Sequence, residues 1–259
     1  MAARRVLAAA QLAAAAVTAA AGFDCSFAAA YPRQYVAYHV DSDDGIIVDG
    51  RLDEPAWEAV GFTDAFVDIS TTTAPQFLTR AKMRWTDTHL YVGGMLQETA
   101  VWANITRVCH CFNASEDQVI YHDNDFEVFI DADGSTHYYK ETEFNAANKY
   151  WDLVLDKPYD DGGYENSSRV FGPAGWDMYP AVTSATATDG VLNDPRVPAT
   201  WWSVEAAFPL ADLAFNTTAT VPPQPGRCVG WVGARAQGRV ELSPLVCHAR
   251  ASVGTACAG

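Results

Sequence analysis

The chain has 259 residues and carries 32 acidic against 17 basic side chains, a formal net charge of −15. The negative charge is dispersed and not gathered in a tail, which argues against nucleic acid and anionic membranes as partners, because both would be repelled. A neutral sugar is indifferent to it.

The N-terminus begins Met1-Ala-Ala-Arg4-Arg5, continues as an Ala/Leu/Val run and reaches Ala19-Ala20-Ala21. That is the layout of a secretory signal peptide, with cleavage after Ala21 or a few residues later. The run is too short and too alanine-rich for a membrane span. Sequons at Asn104, Asn113, Asn166 and Asn216 point the same way, as do six cysteines (Cys25, Cys109, Cys111, Cys228, Cys247, Cys257). An even cysteine count suits an oxidising compartment. The expectation is a secreted, glycosylated, disulfide-bearing protein with a signal peptide over residues 1–21. Residues 22–45 form an N-terminal extension with no assigned element.

Ile46-Ile47-Val48 reads as a short strand and Asp49-Gly50 as a turn. Asp53 is placed to cap a helical turn with Pro55 in its first positions and Trp57 buried. From Thr79 to Leu96 a strand pair is expected. Ala81, Met83 and Trp85 alternate with Lys82 and Arg84, Asp87 to His89 turn the chain, and Leu90-Tyr91-Val92 returns. Gly93-Gly94 admits a close neighbour or marks a bulge. In Cys109-His110-Cys111 the two cysteines are too close to pair comfortably with each other. In an exported chain they read as two separate disulfides beside a histidine. A metal site is the alternative, and no second Cys/His cluster supports it.

The most informative stretch runs from Asp123 to Asp156. Phe126, Val128 and Ile130 alternate with Glu127, Phe129 and Asp131, a period of two that predicts a strand with one apolar face. Asp131 to Ser135 is turn chemistry, and a second strand returns with His137, Tyr139, Glu141, Glu143 and Asn145 on one face. A third run, Trp151 to Leu155, follows a turn around Asn148. Pro158 to Trp176 is the longest irregular loop. Ala181 to Ala187 then alternates, Asp189-Gly190 turns the chain and Val191-Leu192 returns. Trp201 to Pro209 is a further strand. Trp57, Trp85, Trp151 and Trp202 are read as core.

Several of these pieces together resemble the family 9 carbohydrate-binding modules. They are Val48-Asp49-Gly50-Arg51-Leu52-Asp53-Glu54 with Trp57, Lys82 to Val92 with Trp85, and Glu127-Val128-Phe129-Ile130-Asp131. Glu143-Phe144-Asn145 and Trp151-Asp152-Leu153 follow, then Trp202, Glu205, Phe208, Pro209 and Leu213. The resemblance runs from about Ile46 to Leu213. Gly230 to Glu241 matches a later family strand only in part, and Ser243 to Gly259 matches nothing.

The resemblance implies an all-β fold, an antiparallel jelly-roll-like β-sandwich. It implies a single domain at 46–242, followed by a divergent tail at 243–259. It also implies non-catalytic binding of a polysaccharide or oligosaccharide, in glycan recognition or breakdown. Tyr121 would stack on the sugar ring while Glu127 and Asn145 bond its hydroxyls. Glu143 stands where the best-described members have an arginine. The family's second sandwiching aromatic has no match, and Trp102 and Trp176 are the substitutes the chain offers.

Three other readings were weighed. A glycoside hydrolase needs two carboxyl groups about 5 to 9.5 Å apart. Glu127 and Asp131 would be separated by about 13 Å, whereas Glu141 and Glu143 lie about 6.6 Å apart on one strand face. No G-x-S-x-G, H-E-x-x-H or Gly-rich phosphate loop occurs. Calcium is the one cofactor considered as a stabiliser, with Asp123, Asp125, Asp131 and Asp133 as candidate ligands beside Asn124, though none follows the EF-hand spacing. A haem reading through Met83, Met95 and His89 rests on their closeness to one hairpin.

Overall fold

The computed structural model describes residues 34–68, 73–106, 120–178, 180–223, 228–235, 240–242 and 245–249, the last three segments as backbone strands. All of them fall in the unit Pro32–Ala256. The expected signal peptide, Cys109-His110-Cys111 and Asn113 lie outside the described residues. In chain order the strands are β1 (Gln34–His39), β2 (Val67–Asp68), β3 (Thr79–Trp85), β4 (His89–Gln97), β5 (Asp125–Asp131), β6 (Tyr139–Asn145) and β7 (Tyr150–Leu155). They continue with β8 (Glu165–Asn166), β9 (Thr183–Thr188), β10 (Trp201–Pro209), β11 (Cys228–Arg235), β12 (Val240–Leu242) and β13 (Leu245–Ala249). Three single-turn helices join them: α1 (Pro55–Glu58), α2 (Ser168–Phe171) and α3 (Leu210–Leu213).

The fold is an all-β sandwich, and the alternation in β5 shows how it is built. Phe126, Val128 and Ile130 point inward and are buried, while Glu127, Phe129 and Asp131 point away and stay partly exposed. Around β5 the order is β8-β7-β6-β5-β11, with each neighbouring pair antiparallel. The facing layer is β9-β10-β4-β3-β1, antiparallel except at β1. The layers meet through aromatic contacts. Phe144 of β6 meets Phe208 of β10 edge-on at 6.1 Å, and Phe126 stacks against Phe66 at 6.2 Å. Trp85, Trp202, Met83 and Leu96 fill the space between them. Each such side chain contributes about 1.5–3 kcal/mol by leaving water.

The glycine pair serves both sides of β4. A Cβ on Gly94 would stand 3.0 Å from ring carbons of Phe126, so glycine lets the opposite layer approach. A Cβ on Gly93 would collide with Leu52, which covers the other side.

Leu52 belongs to a lid of residues 40–60 over the outer face of β3, β4 and β10. Ile46, Trp57 and Val60 pack there against Tyr91 and Ala207. Charged side chains of the sheet hold the lid by its backbone. Lys82 Nζ donates to Trp57 O at 2.7 Å, and Arg84 donates to the carbonyls of Ala56, Tyr38 and His39. Glu205 accepts from Trp57 Nε1 at 2.8 Å and from the backbone N–H of Asp49 and Gly50.

Some sequence expectations need correcting. Ile46 to Val48 is not a strand, because the nearby backbone N–H groups of Ile47, Asp49 and Gly50 donate to Glu54 and Glu205 and not to a neighbouring strand. The N-cap of α1 is Glu54 and not Asp53, without a side-chain cap bond, and Pro55 and buried Trp57 sit as expected. The partner of β9 is β10, so Val191-Leu192 belongs to the connection and not to a returning strand. Strand β1 lies before residues 46–242 and β13 after them, and the two pair in parallel. Met83 is buried in the core, which removes it as a haem ligand, and His89 shares its Nδ1 with Thr88 Oγ1.

Candidate functional site

The lid leaves the opposite outer face, that of β5, β6 and β7, uncovered by residues 40–60. Antiparallel register sets its chemistry. Glu127 lies opposite Glu143, Phe129 opposite Glu141 and Asp125 opposite Asn145. Across the next ladder, Glu143 faces Trp151 and Glu141 faces Leu153. Because residues two apart share a side, all of these project to one face. A short turn, Ile120–His122, enters at the edge and brings Tyr121. Trp151, Leu153 and Leu155 cluster there with Ile120 and Tyr139. Arg169 lies over the Trp151 ring at 5.1 Å and pairs with Glu165 of β8, four residues earlier in the chain.

The carboxyl groups are crowded and dry. Glu143 is 3% exposed, and its Oε2 accepts the backbone N–H of Tyr121 at 3.2 Å. Burial, followed by the charges of Glu141 and Glu127, pushes it up to about 9. Glu141 is 9% exposed and makes no side-chain hydrogen bond among the described residues. Burial, then the charges of Glu127, Glu165 and Asp125, pushes it up to about 8. Burial also raises Glu127, and a hydrogen bond with Asp125 partly offsets this. At neutral pH Glu141 and Glu143 therefore keep their protons and offer donors as well as acceptors. A face with both capacities, next to aromatic rings, suits polyhydroxylated ligands.

The residues singled out from the sequence separate into two groups. Tyr121 is 45% exposed, with its ring 4.3 Å from that of His122, and it borders Glu143. Glu127 and Glu143 lie on the same face. Asn145 shares their register but not their freedom, being 0% exposed. Its Nδ2 donates to Ile105 O and Asp123 Oδ2, and its Oδ1 accepts from Ala147 and Lys149. That is its full hydrogen-bonding capacity. Asn145 holds the turn and is removed from the set that can meet a ligand. Of the two substitute aromatics, Trp176 is buried in the core and Trp102 is exposed.

The acidic candidates for calcium also serve the backbone. Asp123 accepts from Asn104 and Ile105, and Asp131 from Gly134, Ser135 and Thr136. Asp133 accepts from Ser135 and Thr218. Among the described residues the carboxylates that converge within 4.8 Å of one another are Asp49, Glu54 and Glu205, under the lid. None of the four sequence candidates joins them.

Sequence reasoning passed over Tyr159 and Arg169, and read Trp151 as core. Tyr159 is exposed, and its hydroxyl is pushed up to about 12 by burial and then by the charges of Glu141 and Glu165, which places it at the rim of this face. Both Tyr159 and Arg169 sit in the irregular region after β7, where no periodicity marks a side. Trp151 is core as expected, 7% exposed in a cluster with Ile120, Leu153 and Leu155, and it stands directly across the ladder from Glu143.

No family model matches the sequence, and no curated protein matches it. Solved structures do. A carbohydrate-binding module family 9 from Caldicellulosiruptor kristjanssonii in complex with glucose is 14% identical with TM-score 0.51, the match covering 85% of this chain and 99% of that one. Its complex with cellotriose gives 15% identity and TM-score 0.51, covering 86% of this chain and 98% of that one. A putative carbohydrate-binding protein from Bacteroides uniformis ATCC 8492 is 13% identical with TM-score 0.53, over 85% of this chain and all of that one. At these identities the likeness is one of fold, and the chain has the β-sandwich fold of the family 9 carbohydrate-binding modules.

Proposed function

We propose that the chain binds a glycan without transforming it, on the outer face of β5, β6 and β7. The observation that carries this reading is the gathering of Tyr121, Glu127, Glu141 and Glu143 on one face, the one the lid of residues 40–60 does not cover. The fold is one in which a similar module is seen in complex with glucose and with cellotriose. Tyr121 and Tyr159 offer ring surfaces at the rim for the C–H face of a sugar. Glu127 accepts from hydroxyls, and protonated Glu141 and Glu143 can donate to them. Export to the extracellular space, expected from residues 1–21, belongs to the same proposal. So does glycosylation, for which Asn104 and Asn216 are exposed, whereas Asn166 already accepts from Trp176.

The test is calorimetric titration of the folded chain with neutral and charged oligosaccharides, with and without calcium, and with released reducing sugar assayed in the same mixtures. Saturable heat without sugar release is the expected result. Sugar release would replace binding with hydrolysis, and the absence of heat from every glycan would sink the proposal. N-terminal sequencing of exported protein, expected to begin after Ala21, tests the location.

A further inference from the structure

The outer face of β5, β6 and β7 gathers five carboxyl groups. Asp125 and Glu127 come from β5, Glu141 and Glu143 from β6, and Glu165 from the edge strand β8. The charges that act most on Glu141 and Glu143 are all negative. Arg169 is engaged with Glu165 and the Trp151 ring. Glu165 has that partner, Glu143 has the Tyr121 N–H, and Asp125 and Glu127 have each other. Glu141 differs from these: it is 9% exposed, it points into the cluster, and no described residue hydrogen-bonds to its carboxyl. Its carboxyl oxygens are not sealed from solvent, so a donor from outside can reach them. Among the described residues no donor stands at that place, and the arginine beside it is engaged elsewhere.

Resting on the glycan-binding reading above, we propose that the ligand is a sugar with a free amine, a hexosamine unit whose ammonium group seats over Glu141 between Glu127 and Glu143. An ammonium group brings three donors and a charge to one point, whereas a hydroxyl brings one donor and an N-acetyl amide one donor without charge. Tyr121, whose N–H is bonded to Glu143, and Tyr159 are both exposed and offer aromatic faces for the sugar ring. The chain's net charge of −15 would also draw a cationic oligosaccharide toward the face. Among the described residues the remaining titratable groups around the site are His122, whose ring lies 4.3 Å from that of Tyr121, and Tyr139, Tyr159 and Asp156, of which His122 alone can carry positive charge.

Seating an ammonium group favours the ionised carboxylates, so binding at neutral pH expels protons from Glu141 and Glu143. Calorimetry in two buffers of different ionisation enthalpy reads that release directly. The ligands to compare are a glucosamine trimer, an N-acetylglucosamine trimer and cellotriose, together with calcium chloride alone. The glucosamine trimer is expected to bind at least about tenfold more tightly than the other two, with the advantage weakening in high salt. Glu141→Gln should remove that advantage. Glu127→Gln, at a partly exposed position, should reduce it and serves if the first variant does not fold.

Cellotriose binding as tightly as the glucosamine trimer would overturn this inference and leave glycan binding standing. Failure of all three sugars would overturn both. An advantage that survives Glu141→Gln, or calcium heat that Glu141→Gln abolishes while no sugar competes, would also overturn it.

Discussion

The two outer faces of the sandwich treat a buried glutamate in opposite ways. Under the lid, Glu205 is 0% exposed and accepts three N–H donors from Trp57, Asp49 and Gly50. On the other face, Glu141 is almost as buried and accepts none. Both are raised, Glu205 to about 7 and Glu141 to about 8, each first by burial. Burial and a shifted titration therefore do not by themselves mark function. The difference lies in what completes the group: Glu205 is completed by its own chain, whereas Glu141 has no hydrogen-bond donor among the described residues.

The comparison is broken most severely by removing Trp57. Trp57→Ala should cost about 3–5 kcal/mol in denaturant unfolding, through the lost ring and the lost donor to Glu205. Glycan affinity per folded molecule should stay unchanged. A binding loss larger than the unfolded fraction explains would mean that the two faces are coupled.

The seam between the layers lies where β13 joins β11 to β1.

Changing pH should sharpen the comparison. Glu205, Glu141 and Glu143 have folded values of about 7, 8 and 9 against an ordinary 4.5. The folded state thus holds protons that the unfolded chain releases, and their contribution to stability is lost as pH rises through those values. The melting temperature should fall between pH 6 and pH 9, and Glu141→Gln should flatten the fall. A melting temperature that rises over this range would contradict the burial of these groups. The smallest expected effect is at the rim. Tyr121→Ala should weaken glycan binding by about 1 kcal/mol, the scale of an aromatic contact, with little change in unfolding.

Much of this was legible in the sequence because β5, β6 and β7 advertise themselves. Alternation over Phe126 to Asp131 fixes which side is wet, and turn residues fix where the chain reverses. The strands at the seam gave no such sign. β1 and β13 pair in parallel across some two hundred residues of chain, and β1 lies between two parallel neighbours. No local pattern reports a partner that far away. Asn145 was misjudged because register assigns a face but not exposure. The strand ends there, and Ile105, Asp123 and the turn to Lys149 close over the amide. Glu141 was seen as one member of a carboxylate pair, while its lack of a partner emerges only when its neighbours are in place.

The central claim is that the glycan sits on the face of β5, β6 and β7 and not under the lid. Amide chemical-shift mapping of labelled protein during oligosaccharide titration tests it most directly. Shifts concentrated at Tyr121, Glu127, Glu141, Glu143 and Trp151, with Leu52, Trp57 and Gly93 unmoved, are the predicted result. Saturable shifts centred on the lid, with the carboxyl face silent, would contradict it.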